Sequence, residues 1–218
     1  MKVLIACEES QAVCKAFREL GHEAFSCDIL ECSGGHPEWH IQGDVLDIIG
    51  NGDKRIVLQS GDEIDVQSWD LMIAHPPCTH LSVSGARHFA KKIADGRQQE
   101  GIDFFMKLVN APIKKICVEN PVCIMSSKYK KPTQIIQPYQ FGHTERKSTC
   151  LWLEGLPKLE PTNIVEPDII VHKSGRTDSR LHYETFKLPK EERRKARSKT
   201  FKGIADAMVH RWGGFFKN

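Results

Sequence analysis

The chain of 218 residues carries a net charge of +3 and is 40% hydrophobic, enough apolar material for one α/β domain with a full core, or for a domain plus a small appendage. No run of eighteen apolar residues occurs, so no membrane-spanning helix is expected, and the small net charge carries no bulk signature of a nucleic-acid binder. The eight cysteines, at positions 7, 14, 27, 32, 78, 117, 123 and 150, form no Cys-x-x-Cys pair. Several sit inside apolar runs, so reduced thiols in a cytoplasmic compartment are expected, not a disulfide framework.

The opening Met1-Lys2-Val3-Leu4-Ile5-Ala6-Cys7 is charged too early for a secretory leader and reads as a buried first strand. Ser10 is placed to cap a helix over 11–20, with Val13, Phe17 and Leu20 on one face and Gly21 as its stop. A second strand over 23–28 ends on Asp28. This β-α-β opening predicts a parallel sheet with right-handed crossovers. Residues 31–43 read as loop, followed by the turn Gly43-Asp44-Val45. Segments 55–58 and 63–66, separated by Gln59-Ser60-Gly61-Asp62, predict a β-hairpin inserted into the α/β core.

Further along, the pattern predicts a strand over 70–74 and a helix over 97–109 with Ile102, Phe105, Met106 and Val109 inward. A strand over 115–118 then ends at Glu119-Asn120-Pro121, and two more strands cover 134–137 and 149–153. Residues 154–199 are rich in proline, charge and turn formers, with little periodicity. A last helix over 203–212 closes the fold. The run 187–199, with Arg193-Arg194-Lys195, is either a phosphate-contacting patch or a solvated helix face in which Glu191 and Glu192 pair with Lys195. Cys27, Cys32, His36 and His40 have a loose metal-ligand look, but their spacing fits no zinc module, and no metal is expected.

Three acidic or reactive residues, Asp28, Cys78 and Glu119, fall at the carboxyl ends of strand candidates. In a parallel sheet those ends share one edge, where ligands bind. Cys78 follows two prolines that stop its strand, and a thiol fixed there is a candidate nucleophile. An acidic residue after the second strand is where ribose hydroxyls of nucleoside cofactors are held.

The order Gly43-Asp44-Val45, then Trp69-Asp70-Leu71-Met72-Ile73-Ala74-His75-Pro76-Pro77-Cys78-Thr79-His80-Leu81-Ser82-Val83-Ser84-Gly85, then Val118-Glu119-Asn120, then Phe141-Gly142 resembles the C5-cytosine-specific DNA methyltransferase family, in a short phage or prophage form. The resemblance covers roughly residues 2–153. It implies a Rossmann-like S-adenosylmethionine-dependent methyltransferase fold with a mostly parallel seven-stranded sheet. It implies a catalytic core over 1–153, a short basic appendage over 154–199 in place of a target-recognition domain, and a helix over 200–218 returning to the core.

The activity implied is methyl transfer from S-adenosylmethionine to C5 of cytosine through a covalent adduct between Cys78 and C6. Glu119 would be the acid near N3, held protonated or hydrogen-bond-sharing by burial, and Asn120 would fix the loop geometry. The cofactor would be held by Ala6, Cys7, Glu8, Asp28 and Asp44, with Pro76 and Pro77 as the pocket floor. Residues 79–92, with Ser82, Gly85, Arg87 and His88, would be a loop closing over a flipped-out base. The partner implied is DNA, alternatively RNA or a free cytosine nucleotide, and no membrane.

Three departures accompany the resemblance. Ala6-Cys7-Glu8-Glu9-Ser10 stands where the family has a glycine-rich turn, which lets backbone approach the cofactor. The family's glutamine-arginine motif becomes His143-Thr144-Glu145-Arg146-Lys147-Ser148-Thr149, where Arg146, or else Lys147, would supply the cation beside the cytosine carbonyl. The recognition region is short, leaving Lys173, Arg176, Arg180, Lys187 and Arg193-Arg194-Lys195 to follow phosphates without reading much sequence. The rival readings are an amino-methyltransferase, which needs Asp or Asn before the prolines, and a non-catalytic nucleic-acid-binding or inhibitory protein on a decayed methyltransferase fold.

Overall fold

The computed structural model describes residues 1–50 and 52–214. Strand β1 (Lys2–Ala6) is flanked by β2 (Glu23–Asp28) and, further along the chain, by β6 (Leu71–Ala74), whose four residues are all buried. Apolar runs of this kind suit strands covered on both faces. The helix α1 (Ala12–Glu19) makes the crossover between β1 and β2. The hairpin of β4 (Lys54–Val57) and β5 (Glu63–Val66) is antiparallel and forms its own small sheet.

After β6 come α2 (Phe89–Ala94) and α3 (Arg97–Val109), then β7 (Ile116–Pro121), the short α4 (Met125–Lys128), β8 (Gln134–Ile136) and β9 (Thr149–Glu154). With β3 (His40–Gln42) at one edge, the seven-stranded sheet has the order β3-β2-β1-β6-β7-β9-β8. All neighbours from β3 to β7 are parallel, and only β9 runs against its two neighbours. The chain is thus α/β with a mostly parallel central sheet and small hairpins, compatible with a Rossmann-like fold. The order reverses between β1 and β6, which is the topological switch point where such sheets bind ligands.

Strand alternation sorts the core into two layers. Val3 and Ile5 of β1, with Leu71 and Ile73 of β6, face α1 and α7 (Lys202–Trp212). Leu4 and Ala6, with Met72 and Ala74, face α3 and the hairpin side. In α7, Ile204, Met208, Val209 and Trp212 are buried, and the indole of Trp212 donates to the Pro157 carbonyl at 2.9 Å. This packs α7 against the core; residues 215–218 of the expected 200–218 segment lie outside the described residues.

Four local expectations change. Ser10 does not cap α1. The cap position is Gln11, in the left-handed region at φ 57, and the Glu8 carboxylate accepts from Val13 N at 2.7 Å and Cys14 N at 3.2 Å, so an acidic group meets the positive end of the helix. Segment 31–43 is not all loop: β3 pairs with the end of β2. Segment 79–92 is not an open loop, because it forms a 3₁₀ turn over Val83–His88 and most of α2. Segment 154–199 is not irregular. It holds an antiparallel ribbon of β10 (Ile169–Val171) and β11 (Thr177–Ser179), then α5 (Arg180–Glu184) and α6 (Lys190–Ser198).

Candidate active site

The parallel ladder carries β6 to the switch point. His75 N donates to Ala6 O at 2.9 Å, and two prolines then end the pairing, because neither offers an N–H. Pro76 is buried, Pro77 exposed, and Cys78 half-buried. The Cys78 carbonyl accepts from Leu81 N at 3.0 Å and from Ser82 N at 2.9 Å, folding the chain back into a tight turn. Ser82 is buried and its hydroxyl caps the following 3₁₀ turn. A short antiparallel bridge between Ser82 and Cys123 ties this turn to the chain leaving β7.

Lys92 of α2 anchors the same segment. It is only 8% exposed, and its ammonium donates to the Thr79 carbonyl at 2.5 Å. A buried ammonium needs such a partner, so α2 is stapled beside Cys78. Gly85 lies below it, close enough that an added Cβ would stand 3.6 Å from the ammonium. Arg87 and His88 are exposed and bonded to each other at 3.0 Å.

Across the ladder, Ala74 pairs with Val118, so the next residues on the two strands, His75 and Glu119, lie side by side. His75 Nδ1 and Glu119 Oε2 are 2.9 Å apart, with side chains 12% and 15% exposed. Burial disfavours charge on His75, but the bond and charge of Glu119, aided by Glu8, outweigh burial and the Lys147 ammonium, so its pKa lies above the ordinary histidine value. Burial alone would raise Glu119, yet His75 and Lys147 more than offset it and hold the carboxyl below the usual glutamate range. Glu119 therefore shares a hydrogen bond as expected, but it rests as a carboxylate: burial does not keep it protonated. Its position also differs slightly from expectation, since β7 continues through Glu119 to Pro121 against β9.

Asn120, 1% exposed, donates from Nδ2 to the Pro76 carbonyl at 2.8 Å, which fixes the Pro-Pro corner to β7. The Cys78 thiol is pushed up by burial and then by the Glu119 carboxylate, against the Lys147 and Lys92 ammonium groups. At rest it is a thiol at neutral pH. Arg146 is exposed, and the cation whose charge reaches Cys78, His75 and Glu119 is Lys147. Gln137 positions it by accepting from Lys147 N at 3.0 Å and donating to the Ser148 hydroxyl at 2.7 Å.

A second cluster forms at the ends of β1 and β2. Ala6 is fully buried at the end of β1. Cys7 has φ 60, so the turn after β1 takes a glycine-like conformation without a glycine. Asp28 and Asp44 lie within electrostatic reach of both Cys7 and Cys27. Asp28 Oδ1 accepts from Leu30 N at 3.0 Å, and burial lifts its carboxyl above the ordinary aspartate value. Asp44 is exposed and caps the Val45–Asp47 3₁₀ turn through Leu46 N at 2.9 Å. Glu8 faces away from this cluster, with both oxygens on α1. Its carboxyl is raised by burial, and its charge also reaches His75.

Gln11 closes the rim. It is fully buried and pins the 33–36 segment, donating to His36 O at 2.8 Å and accepting from His36 N at 3.0 Å. Gly34 permits this, since a Cβ there would stand 2.5 Å from Gln11 Cβ. Of the four residues with a metal-ligand look, His40 is occupied by Ser26 and the Leu30 carbonyl and His36 by Glu38. Among the described residues no group of three His, Cys, Asp or Glu could hold a metal ion. At the amino ends of β1 and β6, the opposite end from the switch-point cluster, a depression of about 330 Å³ is lined by Lys2, Asp65, Gln67, Ser68 and Asp70.

The chain matches no family model and no curated protein, so its chemistry rests on this geometry. Among the described residues no helix is long and apolar enough to cross a membrane. Three participants escaped sequence reading: His75, Lys92 and the capping role of Glu8. His75 was legible in principle, because strand register alone sets the residue before Pro-Pro beside the one after Val118.

Proposed function

We propose that the chain is a C5-cytosine methyltransferase that uses S-adenosylmethionine. The observation that carries this reading is the convergence of Cys78, Glu119 and Lys147 at the β1/β6 switch point, beside the acidic cluster at the ends of β1 and β2. Together they supply a nucleophile, a proton carrier and a cation on one side, and carboxylates for a nucleoside on the other.

The fit to the cofactor is specific in two respects and open in one. Asp28 keeps Oδ2 without a protein partner among the described residues, available to ribose hydroxyls, and the Cys7 turn leaves the end of β1 in the conformation that lets backbone approach a ligand. Glu8 is committed to α1 and does not serve the cofactor's ammonium group. When bound, the cofactor supplies the methyl group. Cys78 adds through sulfur to C6 of the base, which makes C5 nucleophilic. The Cys78 thiol proton ends on N3, carried there by Glu119 as charge develops on the ring, and Lys147 stabilises the carbonyl oxygen. A positioned proton donor of this kind contributes roughly 10²–10⁴-fold in rate. Water takes the C5 proton, the C–H pair re-forms the C5–C6 double bond, and the thiolate leaves.

DNA is the preferred substrate. The exposed basic face of α6 with Arg194 and Lys195 suits phosphates, and the Arg194 charge reaches Asp28, so this helix lies on the same side as the cluster. The test is label transfer from radiolabelled S-adenosylmethionine to duplex DNA, single-stranded DNA, RNA and free cytosine nucleotides, with trapping on a 5-fluorocytosine oligonucleotide. The expected result is a covalent adduct that Cys78→Ala abolishes. Absence of cofactor binding by calorimetry, with nucleic-acid binding retained, would sink the enzyme reading and favour a binding protein.

A further inference from the structure

His75 has no part in the mechanism above, yet it is the best-buried ionisable partner of that mechanism's proton carrier. Its main chain is locked to Ala6, so the ring cannot leave the switch point without breaking the ladder between β1 and β6. Its Nδ1 holds Glu119 Oε2 at 2.9 Å. Its Nε2 is buried and has no partner among the described residues. An unpartnered buried nitrogen is costly, and a leucine or phenylalanine would fill the space without that cost. The ring is explained by what Nδ1 does, not by packing.

The charged groups facing the ring are Glu119 on β7, Glu8 on the turn after β1, and Lys147 ahead of β9. Glu119 and then Glu8 lift the His75 ring above its ordinary value against burial and Lys147, and His75 in turn holds the Glu119 carboxyl low while burial keeps Cys78 a thiol. A reaction starting from this resting state must move the thiol proton. No protein donor occupies Glu119 Oε1 among the described residues, whereas Oε2 is fixed by His75.

We propose that His75 is a positioning residue that makes Glu119 a two-way proton carrier: with Oε2 held by Nδ1–H, Oε1 takes the proton of Cys78 and hands it to N3 of the base. The balance closes. The S–H bond breaks and an O–H bond forms; sulfur then bonds to C6, the C5–C6 π pair shifts to C4–C5, the C4–N3 π pair moves onto N3, and the O–H bond breaks as N3–H forms. Glu119 returns to its starting charge and His75 keeps its proton throughout. The inference rests on the C5-methyltransferase reading.

The experiment follows adduct formation on a 5-fluorocytosine oligonucleotide across pH for the intact chain, His75→Asn and His75→Leu, with S-adenosylmethionine saturation and melting temperature recorded for each. His75→Leu removes bond and charge, and the adduct rate falls by about 10²-fold with the cofactor KM unchanged. His75→Asn keeps a donor but no charge. It recovers part of the rate, and its acid limb moves to higher pH, because Glu119 without the imidazolium protonates sooner and can no longer accept the thiol proton. Should His75→Leu melt early, the limb shift in His75→Asn carries the test. Wild-type rates and an unmoved acid limb in the variants overturn the role of His75 and leave the methyltransferase reading standing. A wild-type chain that binds the cofactor but forms no adduct on any cytosine substrate overturns both.

Discussion

The switch-point edge of the sheet and the 165–199 appendage are built from opposite materials. At the edge, β1 and β6 are buried almost throughout, and polar groups such as Gln11 and the Asn120 amide N–H are sealed in with their partners. In the appendage Thr185 is the one buried residue among positions 165–199. Exposed ion pairs hold the rest: Arg180 with Asp168, Arg176 with Asp178, and Arg194 with Glu191. Exposed pairs contribute about 0–1 kcal/mol each and are screened by salt. On the proposed function, reacting groups need fixed geometry and sit where packing fixes them, whereas a surface that follows a polyanion gains from adjustable charges. The two regions should therefore respond to different insults.

The largest effect separates chemistry from capture. Cys78→Ala should abolish methyl transfer, by at least about 10⁴-fold, with little change in melting temperature, because the substitution removes one partly buried sulfur that makes no side-chain hydrogen bond among the described residues. Residual transfer near the wild-type rate would place the nucleophile elsewhere and break the assignment of chemistry to this edge.

Alkali should attack the edge and spare the appendage. The sequence has no cysteine beyond Cys150, whereas burial pushes the Cys27 thiol from 9.0 up to about 12 and the Cys123 thiol up to about 11. The folded state holds these protons longer than the unfolded chain does. Their stabilisation is fully present below pH 9 and is lost as pH rises through the folded values, at about 1.4 kcal/mol per pH unit for each thiol. Denaturant midpoints followed at Trp69 and Trp152 should fall between pH 9 and 11. Cys123→Ala should flatten that fall; a flat profile in the unmodified chain would show the thiols to be accessible.

Salt should do the reverse. Replacing Arg193, Arg194 and Lys195 by alanine should weaken DNA binding and make its salt dependence shallower, by about 0.9 in slope for each phosphate that is no longer neutralised, while kcat on bound substrate holds. In the free chain, high salt should expose 165–199 to limited proteolysis before the sheet is cut. An unchanged salt slope would reduce α6 to a solvated face.

Legibility divides along the same line. The spans of β2, α3 and the hairpin follow from apolar periodicity because those elements bury a face. The elements of the appendage bury almost nothing, so periodicity had no pattern to report. Helix α2 escaped for a different reason: its one inward residue is Lys92, and an inward lysine contradicts the amphipathic rule until its partner, the Thr79 carbonyl, is known. In the site, Cys78 and Glu119 announced themselves as reactive residues at strand ends. The charge state of Glu119 did not, since it depends on His75, a neighbour only across the sheet. Three-residue β3 pairs at the sheet edge with a buried His40, which reads as polar loop until Ser26 and the Leu30 carbonyl are seen to satisfy it.

The smallest effect concerns the turn after β1. Left-handed backbone costs a residue with a Cβ roughly 1–2 kcal/mol, and Cys7 adopts it at φ 60. Cys7→Gly removes that strain but gives the unfolded chain extra freedom, worth about 0.4–1 kcal/mol. The difference should leave the variant more stable by about 0–1.6 kcal/mol at pH 7. Its advantage should widen above pH 9, because a buried thiol disappears with the strain. Chemical denaturation at pH 7 and pH 10 measures both parts. A variant less stable at both values would mean that the packing of the Cys7 side chain outweighs its backbone strain, and that the edge is rigid even where its sequence departs from glycine.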